Sequence, residues 1–128
     1  MSHAKYEGYQ LSPKVGLAVA LVTTDGNATG FDRLTFSHML AVANATVNSG
    51  TGNVILSVQD SADNSTGWAD YTPPILHGNN HATFTTASFP AISTDGCKKL
   101  DVDLSAAKRY IRFVKTASAT GSPSIYLS

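Results

Sequence analysis

Cysteine and charge are both scarce in this sequence. Cys97 is the only cysteine among 128 residues, so no disulfide within the chain can hold the fold together. Charged residues make up 14% of the chain and sum to a formal net charge of zero at pH 7, whereas roughly 25% are charged in ordinary soluble domains. The chain therefore lacks the basic footprint of a nucleic-acid-binding protein, and we predict no nucleic-acid partner.

Long apolar runs and the common catalytic motifs are also missing. The longest apolar run, residues 15–22, is far shorter than the about 20 residues that cross a bilayer, so we predict no membrane partner. Glu7 is the only glutamate, and the chain contains no G-x-S-x-G, G-x-G-x-x-G or G-x-x-x-x-G-K-[ST] motif. We predict a protein that is not an enzyme, with no catalytic residue, no cofactor and no metal site.

Small polar residues take the place of the missing charge. The sequence has 14 Ser, 14 Thr, 10 Gly and 7 Asn. Threonine favours strands because it is β-branched, while Ser, Asn and Gly favour turns. Hydrophobic residues make up 42% of the chain, which is enough for one ordinary core at this length.

Short apolar segments separated by turn residues predict an all-β fold. We predict strands at residues 15–24, 31–37, 40–47, 54–59, 100–104, 109–115 and 124–127, and less regular elements at 68–71, 81–86 and 89–92. Residues 33–43 also fit a short helix, and Asp25-Gly26 predicts a turn. The spacing is typical of an antiparallel β-sandwich or jelly-roll-like barrel of about seven to eight strands. This domain covers residues 15–128, and an extended N-terminal arm covers residues 1–14.

Several polar residues give only weak signals for a metal or catalytic site. His77 and His81 have zinc-like spacing, but Gly78-Asn79-Asn80 between them disfavours a helix and no third ligand is evident. The acidic loop containing Asp60, Asp63, Asn64 and Asp70 does not match a calcium loop and is typical of turns. For Cys97 the sequence favours a small buried thiol.

Two side-chain groups leave binding alternatives open. Trp68 and Tyr71 could stack on a sugar ring, which would make the chain a carbohydrate-binding β-sandwich. The second group is the set of basic residues from Lys98 to Lys115. These residues form either an ordinary solvated surface or a patch that binds an acidic surface of a partner.

Three segments resemble the small β-sandwich proteins of tailed bacteriophages. Residues 54–71 (VILSVQDSADNSTGWADY) have an apolar strand, an Asp/Asn/Ser turn, an aromatic residue and an aspartate. Residues 109–127 (RYIRFVKTASATGSPSIYL) are similar to the usual ending of these proteins, and residues 30–36 (GFDRLTF) fit the start. Residues 72–99 depart from the pattern.

This resemblance implies a head decoration, or cement, protein in the virion. Such a protein lies on the outer capsid surface and bridges subunits of the major capsid protein, often as a homotrimer. Candidate interface residues are Tyr6 and Tyr9 in the arm and Arg109 and Arg112 in the last third, because tyrosine and arginine are favoured at interfaces. The alternatives are a tail, baseplate or fibre-associated virion module and the carbohydrate-binding sandwich.

Overall fold

In the described part of the chain, nine strands form two antiparallel sheets. The computed structural model of the chain describes residues 20–22, 25–34, 36–74, 87–118 and 124–127. The strands are β1 (Ala20–Val22), β2 (Gly26–Asn27), β3 (Phe31–Asp32), β4 (His38–Ser49), β5 (Val54–Ser61), β6 (Ala69–Asp70), β7 (Gly96–Asp103), β8 (Tyr110–Ala117) and β9 (Ser124–Leu127). Sheet A has the order β1-β9-β4-β7. Sheet B has the order β2-β8-β5-β6, with β3 also paired to β8.

The two sheets enclose one hydrophobic core, which confirms the predicted all-β sandwich. Sheet B contributes large side chains, among them Val58, Ile111 and Phe113, while β4 of sheet A contributes the small residues Ala43 and Ala45. More and less exposed residues alternate along most of β4 and through the first half of β8, as the period of two in a β-strand requires. No helix in the described part of the chain is long and apolar enough to cross a membrane.

Residues 87–92 complete sheet B along the free edge of β5. The Val54 N–H donates to the Ile92 carbonyl at 2.9 Å, and the Ile92 N–H returns a bond to Val54 at 2.8 Å. Phe89 is buried, and its ring centroid lies 6.3 Å from that of Phe113. The predicted edge segment at 89–92 is therefore confirmed, and it lies along β5, which contributes Val54, Leu56 and Val58 to the core.

Two local predictions were wrong. Gly26 does not form a turn but pairs with Lys115 in β2, because the chain passes here from sheet A to sheet B and the Asp25 carboxylate accepts the Ala117 N–H. The strand predicted at 31–37 ends at Asp32, whose carboxylate accepts the N–H of Leu34 and turns the chain. The first part of the 38–49 strand overlaps residues that also fitted a helix; the structure has β4 there.

Arg33 fastens this turn to the chain between β7 and β8. Its guanidinium donates to three carbonyl oxygens: those of Phe36 (3.0 Å), Lys108 (2.8 Å) and Ala107. Asp60 binds the same connection from β5 by accepting the Lys108 N–H at 2.8 Å. These bonds satisfy carbonyls and an amide that no strand ladder pairs. Those to residues 107 and 108 fix the turn after β3 against the connection that precedes β8.

Candidate functional site

The predicted interface residue Arg112 lies on the outer face of sheet B. It is in the middle of β8, opposite Gln59 of β5, and it donates to the Gln59 side-chain oxygen through Nε (3.0 Å) and Nη2 (2.7 Å). Gln59 in turn donates to the carboxylate of Asp70 at 3.0 Å. The Arg112 guanidinium also lies 4.5 Å from the centre of the Trp68 ring. Arg112 is thus half-buried and held within a polar row across three strands.

The predicted interface residue Arg109 lies just before β8 and is more open to solvent. Its Nε and Nη2 donate to one oxygen of Asp32, at 3.1 Å and 2.8 Å, while about half of its side chain stays exposed. These bonds raise the pKa of Arg109 above its usual value, so it carries a full positive charge. An exposed pair of this kind contributes little to stability.

The two arm residues, Tyr6 and Tyr9, lie outside the described residues, as does the whole arm at 1–14. His77 and His81 also lie outside them, together with the strand predicted at 81–86. Within the described ranges, no group of three or more His, Cys, Asp or Glu side chains is placed to hold a metal ion.

The aromatic residues weighed as a sugar platform are largely covered. Tyr71 is buried, and its hydroxyl donates to the carbonyl of Asp103 at 2.5 Å, which joins the edge of sheet B to that of sheet A. Burial raises the pKa of Tyr71. Trp68 is half-buried, with Arg112 over its ring and Gly30 beside it. Tyr71 therefore offers no free ring face to a ligand.

The acidic loop after β5 is a set of turn hydrogen bonds. The Asp63 carboxylate accepts the N–H groups of Ser65 (2.9 Å) and Thr66 (2.8 Å) and the Thr66 hydroxyl (2.8 Å). These bonds, the one from the Thr66 amide foremost, hold the pKa of Asp63 well below its usual range. Asn64 follows in a left-handed conformation with φ of 64°, which asparagine tolerates. The polar side chains of this loop thus stabilise the conformation of the loop itself.

The outer face of sheet A carries a surface that the sequence reasoning missed. Leu40 and Val42 of β4 are 62% and 54% exposed. Beside them on β7 lie Lys99, opposite Val42, and Asp101, opposite Leu40. We define the sheet A face by the outward side chains of Leu40, Val42, Asn44, Cys97, Lys99 and Asp101.

The phase of β4 explains why Leu40 and Val42 are outside. Their phase also contains His38, Asn44 and Thr46, whereas the other phase is apolar throughout from Met39 to Val47. The core accepts this apolar phase: Ala43 and Ala45 are at most 6% exposed, and Met39, Ala41 and Val47 pack against the core. A run with alanine at every second position is the signal that identifies this face.

Cys97 belongs to the same face, and the prediction of a buried thiol was wrong. It is exposed and lies opposite Asn44. The reason is its phase in β7: Val102, five residues later, faces the core, and residues an odd number of positions apart in a strand face opposite sides.

The basic residues of the C-terminal third do not form one patch. Lys98 and Lys99 lie on β7 of sheet A, whereas Arg112 and Lys115 lie on β8 of sheet B. The basic residues of the C-terminal third are therefore divided between the two sheets.

Comparison with protein-family models, curated proteins and solved structures finds no match for this chain.

Proposed function

We propose that this chain is a non-enzymatic structural protein of a bacteriophage virion, and specifically a decoration protein that binds the outer face of the expanded capsid. The observation that carries the proposal is the sheet A face, where Leu40 and Val42 are exposed side by side on one regular strand. Large apolar side chains held outward by a rigid sheet and bordered by polar groups are typical of protein-binding surfaces.

The resemblance to small phage β-sandwich proteins supports the same function. Two of the segments that carry it, residues 54–71 and 109–127, contain β5 and β8, which pair over eight residue positions in sheet B. That pairing leaves sheet A, and its exposed face, on the opposite side of the core.

The mechanism is binding that favours one state of the shell. A protein that binds only the expanded, assembled capsid stabilises that state by mass action. Each contact can be weak if several copies are linked, because linked sites gain avidity. Arg109, and the tyrosines of residues 1–14, are candidates for further contacts with the major capsid protein.

The experiment is a binding assay with expanded heads purified from the phage that encodes the chain. The double variant Leu40→Ser/Val42→Ser removes the apolar side chains from the sheet A face. We expect it to fold, since both residues are exposed, and to lose binding about ten-fold or more, as truncation at the centre of an interface does. The matched control is Leu34→Ser, because Leu34 is equally exposed at 62% but lies in the turn after β3.

Both variants are measured by co-sedimentation with heads, after circular dichroism has shown that each is folded. Loss of binding in the double variant with normal binding of the control supports the proposal. Normal binding of the double variant removes the sheet A face from the interface. Failure of the unaltered protein to bind heads contradicts the decoration function itself.

A further inference from the structure

We propose that the edge of β7 that no other described strand pairs binds β7 of a second copy, forming a two-fold dimer with one sheet continuous across both chains. This proposal goes beyond the proposed function and does not depend on it. Its basis is the position of β7 at the end of sheet A and the charges on its outward residues.

Among the described strands, β7 pairs with β4 alone, and its hydrogen-bonding directions show which groups face away. The Leu104 N–H donates to the Ser37 carbonyl at 2.8 Å, one step beyond the register pair His38 and Asp103. In an antiparallel ladder, alternate residues point their N–H and C=O groups toward the same neighbour. The even-numbered residues of β7 thus bond to β4, and Lys99 and Asp101 direct their backbone groups away from it.

A hydrogen bond from Tyr71 confirms which backbone groups of β7 face away from β4, and it limits how much of the β7 edge can pair with a second copy. Its hydroxyl donates to the Asp103 carbonyl, so that carbonyl does point away from β4, and it already has a partner. We therefore place the pairing at residues 98–102, where the described part of the structure provides no bonding partner on that side.

The charges select one register. A two-fold axis through Leu100 places Lys99 opposite Asp101 of the second copy, and Asp101 opposite its Lys99. Moving the axis to Lys99 sets two lysines opposite each other, and moving it to Asp101 sets two carboxylates opposite each other; both are unfavourable. Lys99 is exposed, and the side chain of Asp101 is 69% exposed although it also binds His38. Both side chains can therefore reach a residue on a newly paired strand.

The same register joins backbone and apolar groups. Lys99 and Asp101 become hydrogen-bonded pairs, which supplies four bonds between the copies. Leu100, half-buried on the core side, meets its own counterpart in the non-hydrogen-bonded position. The edge thus offers a second copy of this chain charge, backbone and apolar complementarity at one register.

The decisive test is charge reversal followed by sedimentation velocity over a range of concentrations. Lys99→Asp and Asp101→Lys each place like charges opposite each other twice, and we expect each to weaken the dimer about ten-fold. The double variant Lys99→Asp/Asp101→Lys restores opposite charges and should recover the dimer. The control is Lys108→Asp, which changes the net charge as Lys99→Asp does but lies outside β7.

A cross-link tests the register independently. In Cys97→Ser/Leu100→Cys the two introduced thiols face each other across a non-hydrogen-bonded pair, with Cα atoms about 4.5 Å apart, which suits a disulfide. We expect oxidation to give a covalent dimer. The unaltered protein should form no covalent dimer under the same conditions. In this register its two Cys97 residues lie six residue positions apart along the paired strands, which is about 20 Å.

Each outcome decides the proposal. A dimer that weakens in both single variants, recovers in the double variant and cross-links through position 100 supports it. A monomer at every concentration overturns it, and the edge then belongs to another segment or another protein. An oligomer unaffected by charge reversal, including a trimer, also overturns it, because its interface would not be β7.

Discussion

At the scale of single residues, the fold depends on a few polar side chains that bind backbone groups far away in sequence. Asp60 and Arg33 both hold the connection between β7 and β8. They occupy positions where the chain must turn and where backbone groups would otherwise lack partners. Their importance comes from what they satisfy and not from their charge.

Replacing Asp60 with alanine tests this role. The change leaves the Lys108 N–H without an acceptor in a part-buried place, which costs about 1–3 kcal/mol of unfolding free energy. Asp60→Asn keeps an acceptor oxygen and should cost less. Urea denaturation of the two variants measures the difference, and equal stability of Asp60→Ala and the unaltered protein would contradict this assignment.

Asp63 predicts a specific dependence of stability on acid. Its pKa in the folded chain lies below the unfolded value of about 3.9. Folding is therefore favoured by the ionised form, and this contribution is full above about pH 4 and is lost as pH falls through the folded pKa. Unfolding measured from pH 5 to pH 2 should show a shallower loss of stability for Asp63→Asn. Parallel curves for the two proteins would contradict the hydrogen-bonded role of this carboxylate.

Gly30 is a third sensitive position because of close packing. A Cβ there would stand 2.9 Å from Cη2 of Trp68 and would overlap the side-chain oxygen of Asn64. We expect Gly30→Ala to displace the loop after β5 and to cost about 1–3 kcal/mol, as overpacking does. Trp68 is the only tryptophan, so a shift in its fluorescence reports the displacement directly. An unchanged spectrum together with unchanged stability would contradict this close packing.

At the scale of elements, strands with a clear alternation or apolar composition were predictable. The strands at 54–59, 109–115 and 124–127 are confirmed as β5, β8 and β9, and the half-buried strand predicted at 100–104 corresponds to the second half of β7, which ends at Asp103. These segments have one apolar phase or a dense β-branched composition, so local pattern and tertiary environment agree.

The elements that were not predictable depend on distant contacts. The strand predicted at 31–37 stops at Asp32, and Arg33 then holds the turn by binding carbonyls some 75 positions away, a contact that no local pattern reveals. The exposure of Cys97 follows from the phase of β7, and its neighbours Gly96, Lys98 and Lys99 carry no apolar alternation.

The N-terminal arm carries a prediction at this scale. If Tyr6 and Tyr9 anchor the protein on the capsid, deletion of residues 1–14 weakens binding to heads while the sandwich still folds. Tyr6→Ala/Tyr9→Ala in the full-length chain should have a similar effect, since tyrosines often dominate interface energies. Co-sedimentation measures both, and unchanged binding of the deletion variant would contradict the role of the arm.

At the scale of the whole molecule, the sandwich presents two different outer faces. Sheet B carries the polar row of Arg112, Gln59 and Asp70, whose members bind one another. Sheet A carries exposed leucine and valine beside the charges of β7. With a formal net charge of zero, little long-range repulsion keeps copies apart. Both features suit a protein that functions in an assembly.

The most direct test of the virion function is the copy number of this chain in purified phage particles. Quantitative mass spectrometry of gradient-purified particles compares it with the major capsid protein. A decoration protein spread over the shell predicts hundreds of copies, in a ratio near one to one. A handful of copies would contradict the shell-wide role and indicate a tail or vertex position, and complete absence would contradict a virion function altogether.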